Sequence, residues 1–175
     1  MPRRNEDEEE EELWDEEPEE DEEEDDEEEE EEEGGTDLDE VVAEGEDLAE
    51  RGELRKALRL WRKNIDRFAD EPVAFYQLAL AIFRVLEEAV ATHEIWQSDS
   101  DLVGLYEEAL SNVEESLAMD EEHVDSWNLL GALQALRENH KEAAAAWERS
   151  LELQPNQRQV KADLKRVKQN LDEDE

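Results

Sequence analysis

The 175-residue sequence predicts an all-α fold made of short antiparallel helical hairpins. Apolar residues recur at spacings of three and four, as in Ala57, Leu58, Trp61, Ile65 and Phe68, which places them on one face of a helix. Sustained alternation of apolar and polar residues, the pattern of a half-buried strand, is missing. Short breaks containing Gly, Asp, Asn or Pro separate the apolar stretches, and these are typical of turns between helices.

The N-terminal segment is acidic and has a different character from the rest of the chain. Within residues 6–33, all 28 positions are Asp or Glu except Leu13, Trp14 and Pro18. Such a segment has almost nothing apolar to bury and its charges repel one another, so nothing offsets the entropy lost on ordering. We therefore expect residues 1–37 to form a disordered tail. Within it, the pair Leu13 and Trp14 is either a short docking motif or a tolerated apolar pair.

The most regular part of the body is a 34-residue unit at 124–157. It carries Trp127, Leu130 and Gly131 on its first helix, Ala143, Trp147 and Ser150 on its second, and Pro155 at its end. Small residues let two helix backbones approach, and large ones fill the space beside that contact. The unit closely resembles the tetratricopeptide repeat (TPR), which has a large residue at position 4, small ones at 8 and 20, an aromatic at 24 and Pro at 32.

The resemblance covers residues 38–171 and implies a right-handed α-solenoid. In a first unit at 38–71, positions 8, 20 and 24 are filled by Gly45, Ala57 and Trp61. This unit departs from the pattern in having Val41 where Trp is usual and Ala69 where Pro is usual. The resemblance therefore divides the body into three hairpin units, at 38–71, 72–123 and 124–157, and a last segment at 158–171.

The middle unit, 72–123, contains an insertion. Its first eight residues fit positions 1 to 8, ending on Ala79, and Ala109 fits position 20. Yet 30 residues separate Ala79 from Ala109, whereas the pattern requires 12. The 18 extra residues correspond to about nine per helix, or roughly two and a half turns.

We expect the insertion to lengthen both helices of the middle hairpin. Apolar residues keep helical spacing on both sides of a polar turn at 97–101. The predicted helices span about 73–96 and 102–119 and project beyond the array, with Ile95 and Trp96 at the tip. The array should therefore be visibly irregular.

The last segment, 158–171, predicts a terminal helix that covers the third unit. Its apolar residues are spaced by four, three and four: Val160, Leu164, Val167 and Leu171. Repeat arrays need such a polar-faced cap for solubility. The same helix carries four basic residues, which form either a solvated face or a dock for the chain's own acidic tail: Lys161, Lys165, Arg166 and Lys168. Residues 172–175 form an acidic C-terminal end.

Catalysis has little support in the sequence. The chain has no cysteine, no Gly-rich phosphate loop and no Ser in a nucleophile-elbow sequence. The histidines, His93, His123 and His140, share no helical spacing, so we expect them to be solvated or to lie at helix ends. No loop fixes oxygen ligands as an EF-hand does. The sequence predicts a protein that is not an enzyme, with no cofactor and no specific metal site.

The charge and hydropathy of the chain exclude two further classes of partner. The net charge is −40, whereas binding to a phosphate backbone requires Lys and Arg that release counterions, so we expect no direct nucleic-acid binding. No apolar run approaches the roughly 18 residues that span a bilayer. Because the N-terminus leads into acidic residues rather than a hydrophobic signal segment, we expect a cytoplasmic protein without membrane attachment.

The resemblance to TPR proteins implies a concave groove lined by the first helix of each unit, mostly at positions 2, 5, 9, 12 and 13. In the first unit these positions are Asp39, Val42, Glu46, Ala49 and Glu50; in the second, Val73, Tyr76, Leu80, Phe83 and Arg84; in the third, Asp125, Asn128, Ala132, Ala135 and Leu136. This surface has an apolar floor with acid at one end, and suits a protein segment with apolar anchors and a basic end. Alternatively, Tyr76, Leu80 and Phe83 merely pack on a neighbouring helix or on the extended hairpin.

One TPR subtype is not expected. TPR domains that hold the acidic C-termini of heat-shock chaperones use a clamp of Lys, Arg and Asn in the groove. Here only Arg84 and Asn128 are candidates, and Glu46 and Glu50 would oppose a carboxylate.

Three functions fit the sequence, and they are not mutually exclusive. The first is an adaptor or scaffold whose groove binds a partner segment while the acidic tail modulates binding. The second is a chaperone-like shield for basic proteins, in which the tail itself attracts the partner at long range. The third is a housekeeping TPR protein whose acidity is an adaptation to salt or for solubility, with which a ratio of 12 Arg to 6 Lys is compatible.

Overall fold

The computed structural model describes residues 37–92 and 100–173, which form seven α-helices and no strand. The helices are α1 (Leu38–Glu50), α2 (Leu54–Asn64), α3 (Pro72–Thr92), α4 (Ser100–Met119), α5 (Val124–Leu136), α6 (His140–Leu153) and α7 (Arg158–Glu173). Each helix packs mainly on its neighbours along the chain, as expected for an array of hairpins. The predicted all-α array of three hairpins and a terminal helix is confirmed.

The first and third hairpins are held by a glycine packed on a tryptophan. A Cβ atom at Gly45 of α1 would lie only 2.7 Å from Nε1 of Trp61 on α2, and one at Gly131 of α5 would lie closer still to Trp147 on α6. Both indoles are buried. The absence of a side chain at each glycine therefore lets the two backbones approach, as the sequence pattern indicates.

The middle hairpin is longer than the other two. Helix α3 has 21 residues and α4 has 20, whereas the other hairpin helices have 11 to 14. The additional turns bury their own apolar residues, including Val85 and Leu86 of α3 and Leu102 of α4. The predicted lengthening is confirmed for the described residues, whereas positions 93–99, with the tip residues Ile95 and Trp96, lie outside them.

Two helix boundaries differ from the sequence prediction. Helix α4 begins at Ser100, so Ser100 and Asp101 belong to the helix rather than to the turn; short polar and acidic residues are favoured at helix starts. The α-helix expected to run through Ile65 and Phe68 instead ends at Asn64, followed by a 3-10 turn over Ile65–Phe68. The amide of Asn64 donates to the carbonyl oxygen of Leu60 at 2.9 Å, and such local bonds compete with helix continuation.

The turns of the first and third hairpins share one geometry. Gly52 and Glu138 both follow a helix with positive φ, 78° and 60° respectively. In each turn this residue and the next donate backbone hydrogen bonds to carbonyls of the preceding helix, with the same residue spacing. Glycine adopts this conformation freely, whereas Glu138 adopts it at a steric cost.

The core runs continuously from α1 to α5, and a second apolar cluster joins α6 to α7. In the second cluster, Val160 and Val167 of α7 are buried against Ala143, Ala144 and Trp147 of α6. Helix α7 therefore covers the face that α6 would otherwise expose. All seven helices belong to one compact unit, and residues 1–36 of the predicted disordered tail lie outside the described residues. Asp37, the last residue of that predicted tail, instead caps α1 by accepting a hydrogen bond from the backbone N–H of Leu38 at 2.7 Å.

Candidate functional site

The fifteen predicted groove positions form an accessible surface along α1, α3 and α5. Each of them is half-buried or exposed. Residues of the same helices that face the core, such as Val41, Leu78 and Leu133, are buried. The predicted positions therefore lie toward the accessible side of each helix, and several of them, including Tyr76, Leu80 and Phe83, also pack partly against the core.

Tyr76 of α3 lies at the meeting point of three helices. Burial raises the pKa of Tyr76 to about 12, and the carboxylates of Asp125 on α5 and Glu46 on α1 add to that rise, while Arg84 opposes it. The Tyr76 ring also packs against the His123 ring, with centroids 5.2 Å apart. Glu46, Tyr76 and Asp125, predicted separately on three helices, are thus brought together in one acidic region.

His123 fixes the start of α5 beside this region. Its Nδ1 accepts a hydrogen bond from the backbone N–H of Ser126 at 3.2 Å and lies 2.7 Å from the Ser126 hydroxyl. That hydroxyl is also 2.9 Å from the hydroxyl of Ser116 on α4, and both serines are fully buried. Because Nδ1 accepts from a backbone N–H, it carries no proton in this arrangement. His123 therefore lies at a helix end, as expected, but its role in joining α4 to α5 was not predicted.

Asn128 is held by the third unit itself. Its amide donates to Gln157 at 2.7 Å, and its carbonyl oxygen accepts from the Ser150 hydroxyl at 2.6 Å. Gln157 also donates to the backbone carbonyl of Ser150 at 3.1 Å. These bonds fix the orientation of the Asn128 amide, and they use one of its two N–H donors.

A cavity of about 490 Å³ lies between α3, α5, α6 and α7. Its residues are Phe83, Glu87, Ala132, Ala135, Leu136, Trp147, Gln159, Asp163 and Arg166. Phe83 and the three residues of α5 were predicted. Glu87, Trp147 and the three residues of α7 were not predicted as groove residues. Trp147 carries only the signal of hairpin packing and α7 only that of a terminal cap, while Glu87 lies one turn beyond Phe83, past the predicted groove positions of α3.

The charges around this cavity are partly neutralised. Asp163 accepts hydrogen bonds from Arg166 and from Gln159, each at 3.0 Å. Burial raises the pKa of Glu87, and the nearby Arg84 guanidinium opposes that rise. Glu87 is thus a carboxyl group at the edge of an apolar floor, and partial desolvation penalises the ionised form of Glu87.

The basic residues of α7 do not act as one patch. Arg166 pairs with Asp163 on the same helix, and Lys168 pairs with Glu148 of α6. Lys161 and Lys165 are exposed. Contact of these residues with the acidic tail remains a prediction, as does the docking role of Leu13 and Trp14, which lie outside the described residues.

The described ranges contain no group of three or more His, Asp or Glu side chains placed to hold a metal ion. None of the helices described is both long enough and apolar enough to cross a membrane. The predicted groove surface, with half-buried apolar side chains and carboxylates grouped around Tyr76, is suited to contact with another macromolecule.

Comparison with known proteins identifies the fold. No protein-family model and no curated protein sequence matches the chain. The first TPR domain of human RPAP3 matches 76% of this chain and 91% of its own length, with a TM-score of 0.62 and 21% identity. The thermophilic TPR protein TTC0263 of Thermus thermophilus matches 78% of this chain and 66% of its own length, with a TM-score of 0.65 and 15% identity. The chain has the TPR fold.

Several similar TPR structures contain a bound peptide. One of them is the first TPR of Spaghetti (RPAP3) bound to the HSP90 peptide SRMEEVD, which matches 78% of this chain and 96% of its own length, with a TM-score of 0.60 and 21% identity. The TPR resemblance read from the sequence is thereby confirmed at the level of the fold. The long middle hairpin sets this TPR array apart from one with three helical pairs of equal length.

Proposed function

We propose that this protein is a non-catalytic adaptor whose concave groove binds a segment of another protein carrying apolar and basic side chains. The observation that supports it is the convergence of Glu46, Tyr76 and Asp125 beside a half-buried apolar floor. A surface of this kind offers both contact area and charge complementarity to such a segment.

The apolar floor supplies the attraction. Tyr76, Leu80 and Phe83 lie on α3 at spacings of four and three, and all three are half-buried. They also pack against the core, so their positions are fixed before a partner arrives. Fully burying one aliphatic or aromatic anchor is worth about 1.5–3 kcal/mol, whereas association costs about 4–15 kcal/mol, so several anchors and complementary charges must act together.

The charges of the groove select the partner. Spaghetti binds a peptide ending in acidic residues. In this chain a carboxylate placed near Tyr76 would meet Glu46 and Asp125, both exposed, and Glu50 is a further exposed carboxylate of α1. A Lys or Arg placed there would be attracted instead, which favours a partner of opposite charge to that peptide.

The acidic tail modulates this interaction in our proposal. Residues 6–33 carry 25 carboxylates, which attract a basic partner over distances set by a screening length of about 8 Å at physiological salt. The same residues would make the tail the main binding element if the protein were a shield for basic proteins. A housekeeping protein adapted to salt would need neither partner binding in the groove nor partner binding by the tail.

A pulldown with the full chain and with residues 38–175, at low and high salt, separates these possibilities. The truncation is reasonable because the core of the described residues lies entirely within the compact unit. The groove is tested by Glu46→Lys and by the double change Leu80→Glu with Phe83→Glu. Glu44→Lys is the matched control, since Glu44 is an exposed glutamate of the same helix at a position outside the groove.

If the protein is an adaptor, partners should survive truncation, should vanish with the double variant, and should be weakened by Glu46→Lys but not by Glu44→Lys. Loss of every partner on truncation and at high salt would favour the shield. If all variants retain the partners equally at both salt concentrations, neither the groove nor the tail is the binding element.

A further inference from the structure

A second pocket lies outside the concave groove. It has a volume of about 400 Å³ and is bounded by α4, α5 and α6 together with the turn between α4 and α5. The residues that line it are Glu114, Leu117, Ala118, Glu121, Trp127, Leu130 and Arg149. None of these is one of the groove positions, because the pocket opens between the second helices of two successive hairpins.

Trp127 forms an apolar wall of this pocket with its polar atom already satisfied. Its indole Nε1 donates to the backbone carbonyl of Glu121 at 2.9 Å, which fixes the ring. Leu117 is buried and Leu130 is half-buried, so they contribute further apolar surface. A fixed aromatic ring beside two aliphatic side chains is a preorganised seat for an apolar side chain of a partner.

The entrance to the pocket is acidic. Glu114 and Glu121 are exposed and have no ion-pair partner among the described residues. The one cation of the lining, Arg149, pairs with Glu152 at 3.0 Å. The charge at the entrance is therefore complementary to Lys or Arg and repels carboxylates.

We propose that this pocket is a second protein-docking site, which takes a Leu or Phe side chain adjacent to a Lys or Arg in a partner segment. Its volume falls in the range of about 300–1,000 Å³ that is typical of ligand sites and exceeds that of one aromatic side chain. The site is independent of the concave groove, so one molecule can hold two partner segments at once.

The test is a titration of the isotopically labelled full chain with two acetylated, amidated peptides, KLFK and ELFE. The NMR signal of the Trp127 indole N–H reports binding. That signal is assigned from a Trp127→Phe variant. Ala118→Arg fills the pocket from an exposed position of α4, and Ser111→Arg places the same charge on an exposed position two turns earlier on that helix.

We expect KLFK to shift the Trp127 signal at concentrations at least tenfold lower than ELFE. Ala118→Arg should weaken the KLFK response at least tenfold, whereas Ser111→Arg should leave it within twofold. Because Glu121 binds Trp127 through its backbone, Glu121→Lys should keep the folded spectrum and reduce the preference for KLFK.

The proposal is overturned if KLFK leaves the Trp127 signal unchanged at 5 mM, or if Ala118→Arg and Ser111→Arg respond equally. Glu46→Lys distinguishes this site from the groove: the Trp127 response should persist in that variant even where groove binding is lost. Loss of the Trp127 response in Glu46→Lys would mean that the two surfaces are one site, and would also overturn the proposal.

Discussion

Replacing Gly131 by Ala should destabilise the protein, although alanine is the better helix former. In the interior of a helix, Gly→Ala ordinarily stabilises by about 1 kcal/mol. At Gly131 the new Cβ would overlap the indole of Trp147, which is buried between α5, α6 and α7. Overpacking of this kind costs about 1–3 kcal/mol.

Displacing Trp147 has a second cost. Its Nε1 donates to the backbone carbonyl of Asn128 at 3.1 Å, and loss of such a bond costs about 0.5–1.5 kcal/mol. Together these terms exceed the gain in helix propensity, so we expect Gly131→Ala to lower the free energy of unfolding by about 1–3 kcal/mol. Gly104 is the control: a Cβ there meets nothing within 4 Å, so Gly104→Ala should raise the same free energy by about 0.5–1 kcal/mol.

Urea unfolding of the full chain, followed by circular dichroism, measures both changes from the transition midpoints. The double variant Gly131→Ala with Trp147→Phe tests the cause, since a smaller ring lacking Nε1 should couple favourably with the new methyl group by at least about 1 kcal/mol. Equal stability of Gly131→Ala and wild type, or the absence of coupling, would refute the close-packing argument.

The turns and Tyr76 provide two further predictions. Glu138→Gly should stabilise the protein by about 1 kcal/mol, because φ at Glu138 is 60° and glycine adopts that angle without strain. Gly52→Ala, at a position where φ is 78°, should destabilise the protein by a similar amount. Thermal unfolding measures both changes, and a loss of stability in Glu138→Gly would contradict the claim that Glu138 is strained. In a Tyr106→Phe background the remaining tyrosine, Tyr76, should ionise near pH 12 by ultraviolet absorbance. Because the folded-state pKa of Tyr76 lies above the usual 10, the stability that its protonated form contributes is complete below pH 10 and is lost as pH rises towards 12. Glu46→Lys should lower the Tyr76 pKa, because it removes a nearby carboxylate. A titration midpoint at pH 10 in the folded protein would refute the burial of Tyr76.

The hairpins could be predicted from the sequence because their rules are local. Gly131 and Trp147 occupy fixed positions of a 34-residue period, and the structure packs one on the other. The excess of residues between Ala79 and Ala109 likewise required two longer helices, whatever their partners. Helical spacing then determines which face of α3 is left for the groove.

Features that depend on contacts between distant residues could not be predicted in this way. The amide of Asn128 is held by Gln157, 29 residues away, and no local pattern indicates that bond. The side chain of Asn64 bonds to the preceding turn and ends α2 where the apolar spacing continues. The contribution of Asp163 to the groove cavity depends on how α7 packs against α6, which the apolar stripe of α7 does not specify.

The central claim, that the groove binds basic and apolar segments, is tested most directly by the affinity of two matched peptides. One is SRMEEVD, and the other is its charge-reversed, amidated counterpart SRMKKVK, each measured by fluorescence anisotropy with wild type, Glu46→Lys and Glu44→Lys. We predict at least tenfold tighter binding of SRMKKVK to wild type and to Glu44→Lys, with that preference reduced several-fold in Glu46→Lys. Tighter binding of SRMEEVD to wild type, or equal effects of the two lysine substitutions, would contradict the claim.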